Sequence, residues 1–145
     1  MDPTRNPETD THLFTDKAIE LCMGAGGKGL FADVNEAAAF IRESDGIADA
    51  ILTVLKDNGV PLTDGTILLL GSAVGEAIIA LFSSVAHWEF SEKQKRWVVS
   101  ILLEDGSIVE WNAFHKVEKR LHNGNEDSIQ YWVRAMTDMM ANPKF

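Results

Sequence analysis

His115, Glu118 and His122 are spaced three and four apart in AFHKVEKRLHN, and on a helix they would point at about 0°, 300° and 340°, within one 60° sector. Two imidazoles and a carboxylate so arranged could hold Zn²⁺ with one coordination position open, or pass a proton along a relay. A small metal-dependent hydrolase would use these three as its metal site, with His87 in support. The spacing is neither H-E-x-x-H nor H-x-x-E-H. Glu118 also lies among Lys116, Lys119 and Arg120, so a solvated helix face with ordinary ion pairs accounts for the same residues.

Other chemistry-bearing patterns are weaker. Gly24-Ala25-Gly26-Gly27-Lys28-Gly29 matches G-x-G-x-x-G, but a phosphate cradle needs a strand before it and a helix N-terminus directly after it. The preceding residues read as helix, and the next helix signal comes only near Asp33. Lys28 is followed by Gly29 where a Walker loop requires Ser or Thr. The expectation is a flexible connector and no cofactor. Cys22 stands alone, which excludes an internal disulfide. Ser72 lies inside a helical pattern with no strained elbow to expose it. Glu76 interrupts the apolar run Ile67 to Phe82, where a carboxylate must be paired, protonated or at the surface; Arg120 or Lys119 is its expected partner. Of the four tryptophans, Trp97 belongs inward by strand alternation, while Trp88 and Trp111 are candidates for an interface.

These groups need elements to position them. Residues 1–14 are polar and read as a mobile tail; residues 15–145 read as one domain, beginning with a short helix from Thr15. Asp33 and Glu36 start a helix whose apolar side is Ala37, Phe40, Ile41, Ser44, Ala48, Ile51, Leu52 and Leu55, with Asp45-Gly46 expected to break it and Asn58-Gly59 to close it. A second helix spans about Asp64 to Ser83, with Gly71 and Gly75 allowing close approach of a neighbour. Its apolar run, Ile67 to Phe82, is 16 residues long, short of the roughly 20 residues of a bilayer span, and reads as a core helix. His87–Phe90, Arg96–Leu103 and Ser107–Trp111 read as an antiparallel meander, with Asp105-Gly106 expected as a two-residue type I′ turn. Asn112 caps a third helix, stopped by Asn123-Gly124, and Asp127 or Asn125 caps a last one bearing Ile129, Trp132, Val133, Met136 and Met140. The fold class is α+β: N-terminal helices, a three-stranded meander, and two C-terminal helices packed on one face.

Gly71-x-x-x-Gly75-Glu76, Trp88, Trp97-Val98-Val99 before Asp105-Gly106, and Asn112-Ala113-Phe114-x-x-Val117-x-Lys119-Arg120-x-x-Asn123-Gly124-x-x-Asp127-Ser128-Ile129 together resemble a group of small bacterial proteins classed as domains of unknown function. The likeness covers roughly residues 47 to 140. It implies a compact bacterial α+β domain and supplies no activity. Where the glycine-bearing helix, the third helix and the last turn meet, Glu76, Lys119, Arg120 and Asp127 are expected to form a polar cluster.

The chain carries a net charge of −9, and residues 1–85 hold 13 acidic against 5 basic groups, while residues 86–145 hold 9 against 8. A negative surface repels phosphate backbones, so nucleic acid is not expected as a partner, nor is a membrane. The polar start shows no secretory signal, which points to the cytoplasm. The expected function is a non-catalytic domain that binds or neutralises a basic protein partner, with a homodimer compatible and the metal-dependent hydrolase as the alternative.

Overall fold

A computed structural model describes residues 31, 33–82 and 85–141. The expected N-terminal tail, the short helix from Thr15, Cys22 and the Gly24–Gly29 connector lie outside the described residues. Four helices surround a three-stranded antiparallel sheet, in the order α1 (Val34–Asp57), α2 (Asp64–Leu81), β1 (Ala86–Ser91), β2 (Arg96–Leu102), β3 (Ile108–Trp111), α3 (Ala113–Asn123) and α4 (Ile129–Ala141). A 3₁₀ turn, Gly124–Asp127, joins the last two helices.

The Asp33 side chain begins α1 by accepting the Glu36 N–H at 2.9 Å. Ala37, Ile41, Ser44 and Ala48 are its buried side. The expected break at Asp45-Gly46 does not occur, and α1 runs through it for 24 residues. One interior glycine costs about 1 kcal/mol relative to alanine. The buried stripe continues on both sides of it, and Asp45 is held by contacts from α3 and α4 described below. Gly59, at φ +63, ends the connection where Asn58-Gly59 was expected to.

α2 is apolar around most of its circumference, so it suits a position between layers. It is long and apolar enough to cross a membrane by composition, yet Leu70, Val74, Ala77 and Ile78 are buried against the rest of the fold. Two of its glycines set the packing distance. A Cβ on Gly71 would come within 2.6 Å of Phe114 Cδ1, and one on Gly75 would overlap the Trp88 ring. The α3 start and β1 therefore rest directly on the α2 backbone.

The register pairs Trp88 with Val99 and Val99 with Trp111, which puts all three on one side of the sheet with Ala86 and Ile101. That side joins the helices in the core, where Val117, Leu121, Ile129, Val133 and Met136 complete it. β2 is central, and its residues Val98 to Ile101 are buried on both faces. At the β1–β2 tip Lys95 sits at φ +57, the left-handed region.

The β2–β3 connection corrects the expected two-residue turn. Gly106 N–H donates to the Leu103 carbonyl at 3.0 Å and Leu103 N–H to the Ser107 carbonyl at 2.9 Å, which leaves a three-residue loop. Only Gly106, at φ +88, has positive φ there. This is a type I turn followed by a glycine bulge. Asp105 favours it over type I′, because its carboxylate accepts from the Ser107 N–H and hydroxyl.

Candidate functional site

Arg120 is the largest fully buried side chain among the described residues. α3 starts where Asn112 accepts the His115 N–H at 2.9 Å, and this phase turns Val117, Arg120 and Leu121 inward together. A buried guanidinium must find anions, and α1 supplies them. Its Nε donates to Asp45 Oδ1 at 2.8 Å, and Nη2 donates to Asp49 Oδ1 at 2.8 Å, to Asn125 Oδ1 at 2.9 Å and to the Asp45 carbonyl at 3.1 Å. Burial alone would lower the Arg120 pKa, but Asp49 and Asp45 outweigh it, so the guanidinium is held charged more firmly than usual.

Asp45 also caps α4, seven dozen residues further along the chain. Its Oδ1 accepts the Ile129 N–H at 2.9 Å, and its Oδ2 accepts the Gln130 N–H at 3.1 Å and the Ser128 hydroxyl at 2.7 Å. Ser128 in turn accepts the Tyr131 N–H. The expected caps, Asp127 or Asn125, are replaced by this pair, because Asp127 and Asn125 are drawn to other partners. Burial raises the Asp45 pKa, but the bonds from Ser128, Ile129, Arg120 and Gln130 outweigh it and hold the carboxyl below its ordinary value.

Asp127 accepts from Asn123 Nδ2 at 2.9 Å and has Lys116 Nζ at 3.5 Å and Lys119 Nζ at 3.7 Å. The Asn123 bond, opposed by burial and aided by the two lysines, lowers its pKa. The expected polar cluster is therefore divided: Lys119 and Asp127 meet, and Arg120 lies next to them on α3 but binds Asp45 and Asp49. Glu76 stands elsewhere. Its expected cationic partner is replaced by the Trp88 indole, whose Nε1 donates to Glu76 Oε2 at 2.7 Å. The glycine-lined side of α2 brings that ring close enough, and the ring also meets Phe114 at 5.6 Å between centroids.

Both tryptophans marked as interface candidates turn toward the helices. Trp88 is half-buried on Gly75 and Phe114, and Trp111, also half-buried, lies 4.8 Å from the Trp132 ring. His115, Glu118 and His122 are all exposed along the outer side of α3. Among the described residues no group of three His, Cys, Asp or Glu side chains is placed to hold a metal ion. His87 is on β1, with Glu89 at 3.7 Å.

The decisive pair, Asp45 and Asp49, is hard to single out in the sequence because Asp45-Gly46 reads locally as a breaker. A signal was present: the two carboxylates are one turn apart at the border of the α1 apolar stripe, and Arg120 falls within the apolar stripe of α3. Chemically, the corner binds a carboxylate through four donors, one of them the Ser128 hydroxyl. No protein-family model, characterised protein or solved structure matches the chain.

Proposed function

We propose that this chain is a non-catalytic interaction domain whose acidic surface receives a basic protein partner. The observation that carries this reading is the unequal use of charge. Lys116, Lys119 and Arg120 are spent on Asp127, Asp45 and Asp49, whereas Glu43 and Asp57 on the exposed side of α1 meet no cation among the described residues. The pairing consumes as many anions as cations, so the net charge of −9 is carried by the remaining acidic groups, and the negative field it produces steers a basic partner and disfavours nucleic acid.

The test is charge reversal with the fold held constant. The double variant Glu43→Lys, Asp57→Lys should melt near the parent temperature, since both sites are exposed. It should lose a partner that co-purifies with the parent from the native host, and the parent's complex should weaken steeply with salt. A partner that is acidic, or that stays bound to the double variant, overturns the reading. Metal analysis of the same preparation addresses the hydrolase alternative: stoichiometric zinc that disappears in His115→Ala would replace the interaction reading with it.

A further inference from the structure

Glu76 is a carboxylate only 8 % exposed, and no cation among the described residues reaches it. The Trp88 indole, donating to Oε2 at 2.7 Å, is its one hydrogen-bond partner. Oε1 is not one of the enclosed atoms that lack a partner, so it opens to the surface. Taking a carboxylate this far out of water without a counter-charge is costly, and a cation delivered to Oε1 recovers part of that cost. The surroundings decide what can deliver it. Leu69, Ala73, Glu76 and Ala80 follow at intervals of four, three and four, which puts them on one side of α2. Leu69 is exposed and the two alanines are half-buried, so this side is apolar and open around the carboxylate. The half-buried Trp88 ring, seated on Gly75, borders it toward β1. Small apolar groups and an aromatic ring beside a lone carboxylate suit a positive charge carried on a long aliphatic stem.

We propose that Glu76 is the anchor for a lysine side chain of a basic protein partner, with the ammonium on Oε1 and the stem between Ala73 and the Trp88 ring. Lysine is preferred to arginine because the indole already holds Oε2. A guanidinium fork pairs best with two free oxygens, whereas an ammonium is a point charge that needs one. The proposal rests on the reading of a basic protein partner for the source of the lysine, and adds to the acidic surface of α1 a second point of contact on α2.

The experiment titrates n-butylammonium chloride, a lysine side-chain mimic, into the full-length nitrogen-labelled protein at constant ionic strength, following the Trp88 indole N–H by NMR. Loss of the signal in Trp88→Phe assigns it. The parent should show a saturable shift, and n-butanol, which has the same stem without the charge, should not produce it. Glu76→Gln keeps an oxygen to accept the indole N–H and removes the charge, so it should weaken the response about tenfold or more. If Glu76→Gln does not fold, the contrast between ammonium and alcohol in the parent decides alone. The Glu43→Lys, Asp57→Lys double variant should titrate like the parent, so loss of a native partner from that variant and failure of this site are separate results. No saturable shift, an equal response to n-butanol, a response undiminished in Glu76→Gln, or tighter binding of n-butylguanidinium than of the ammonium overturns the proposal.

Discussion

Gly75→Ala is the sharpest perturbation of this fold, because local propensity and packing give opposite signs. In an interior helical position the change from glycine to alanine favours the helix by about 1 kcal/mol. Here the added Cβ would overlap the Trp88 ring, and the ring cannot retreat without lengthening the 2.7 Å bond from its indole N–H to Glu76. Forcing a methyl into a filled contact costs about 1–3 kcal/mol. Loosening a hydrogen bond to a carboxylate costs about 1.5–3 kcal/mol more. The net expectation is a loss of about 1.5–5 kcal/mol after the helix gain is subtracted, which for a domain of this length lowers the melting temperature by roughly 3–20 °C. Urea titration followed by tryptophan fluorescence and by far-UV circular dichroism reads the loss directly. Gly46→Ala provides the internal control, since its Cβ would meet nothing within 4 Å and should stabilise by about 0.5–1 kcal/mol. A Gly75→Ala protein as stable as the parent would refute the claim that Trp88 is seated on the α2 backbone. So would a loss that persists undiminished when Trp88 is replaced by alanine in the same chain.

The remaining predictions concern the charged corner and the turns. Arg120→Met should destabilise by about 3–5 kcal/mol in chemical denaturation, because it strands Asp45 without its buried counter-charge; a loss under 1 kcal/mol would contradict the assignment. Asp45 and Asp127 have depressed folded-state pKa values, so their contribution is complete above the ordinary carboxylate range near pH 4 and is lost as pH falls through the lower folded values. Melting temperature against pH should therefore fall in acid, and Asp45→Asn should make that acid limb shallower. Lys95→Gly should stabilise by about 1 kcal/mol, by relieving a side chain at positive φ, whereas Gly106→Ala should cost about as much at a matching position; both are read from urea midpoints.

Element type and order were legible because the apolar periods were strong. The stripe Ala37, Ile41, Ser44, Ala48 was visible in the sequence and is the buried side of α1. Phe114, Val117 and Leu121 behave likewise on α3. Gly71 and Gly75 announced a close approach, and Phe114 and Trp88 are the neighbours that make it. The polar corner was less legible, since a pair such as Asp45 and Arg120 is separated by 75 positions and no local rule connects them. Local rules also misled where a tertiary contact prevailed. Asp45-Gly46 carries the chemistry of a breaker, but an aspartate whose carboxylate is consumed by α3 and α4 does not compete for the backbone of its own helix. Asp105-Gly106 carries the signal of one hairpin and forms another, because the aspartate finds its acceptor role two residues on, at Ser107.

The capping of α4 by Asp45 has a bearing on the order in which the chain can assemble. α4 leaves the ribosome well after α1, and two of its first N–H groups are satisfied by a residue made 84 and 85 positions earlier. A helix of 13 residues is marginal alone, so α4 gains its full stability only after α1 is in place to receive it. Closing so long a loop is entropically costly and belongs late on the folding path. Conservative changes at Asp45 should accordingly speed unfolding while leaving the folding rate nearly unaltered, a φ-value close to zero, whereas changes along the hairpin of β2 and β3 should act on the folding rate. A chain released before residue 129 would expose the Arg120 corner to water.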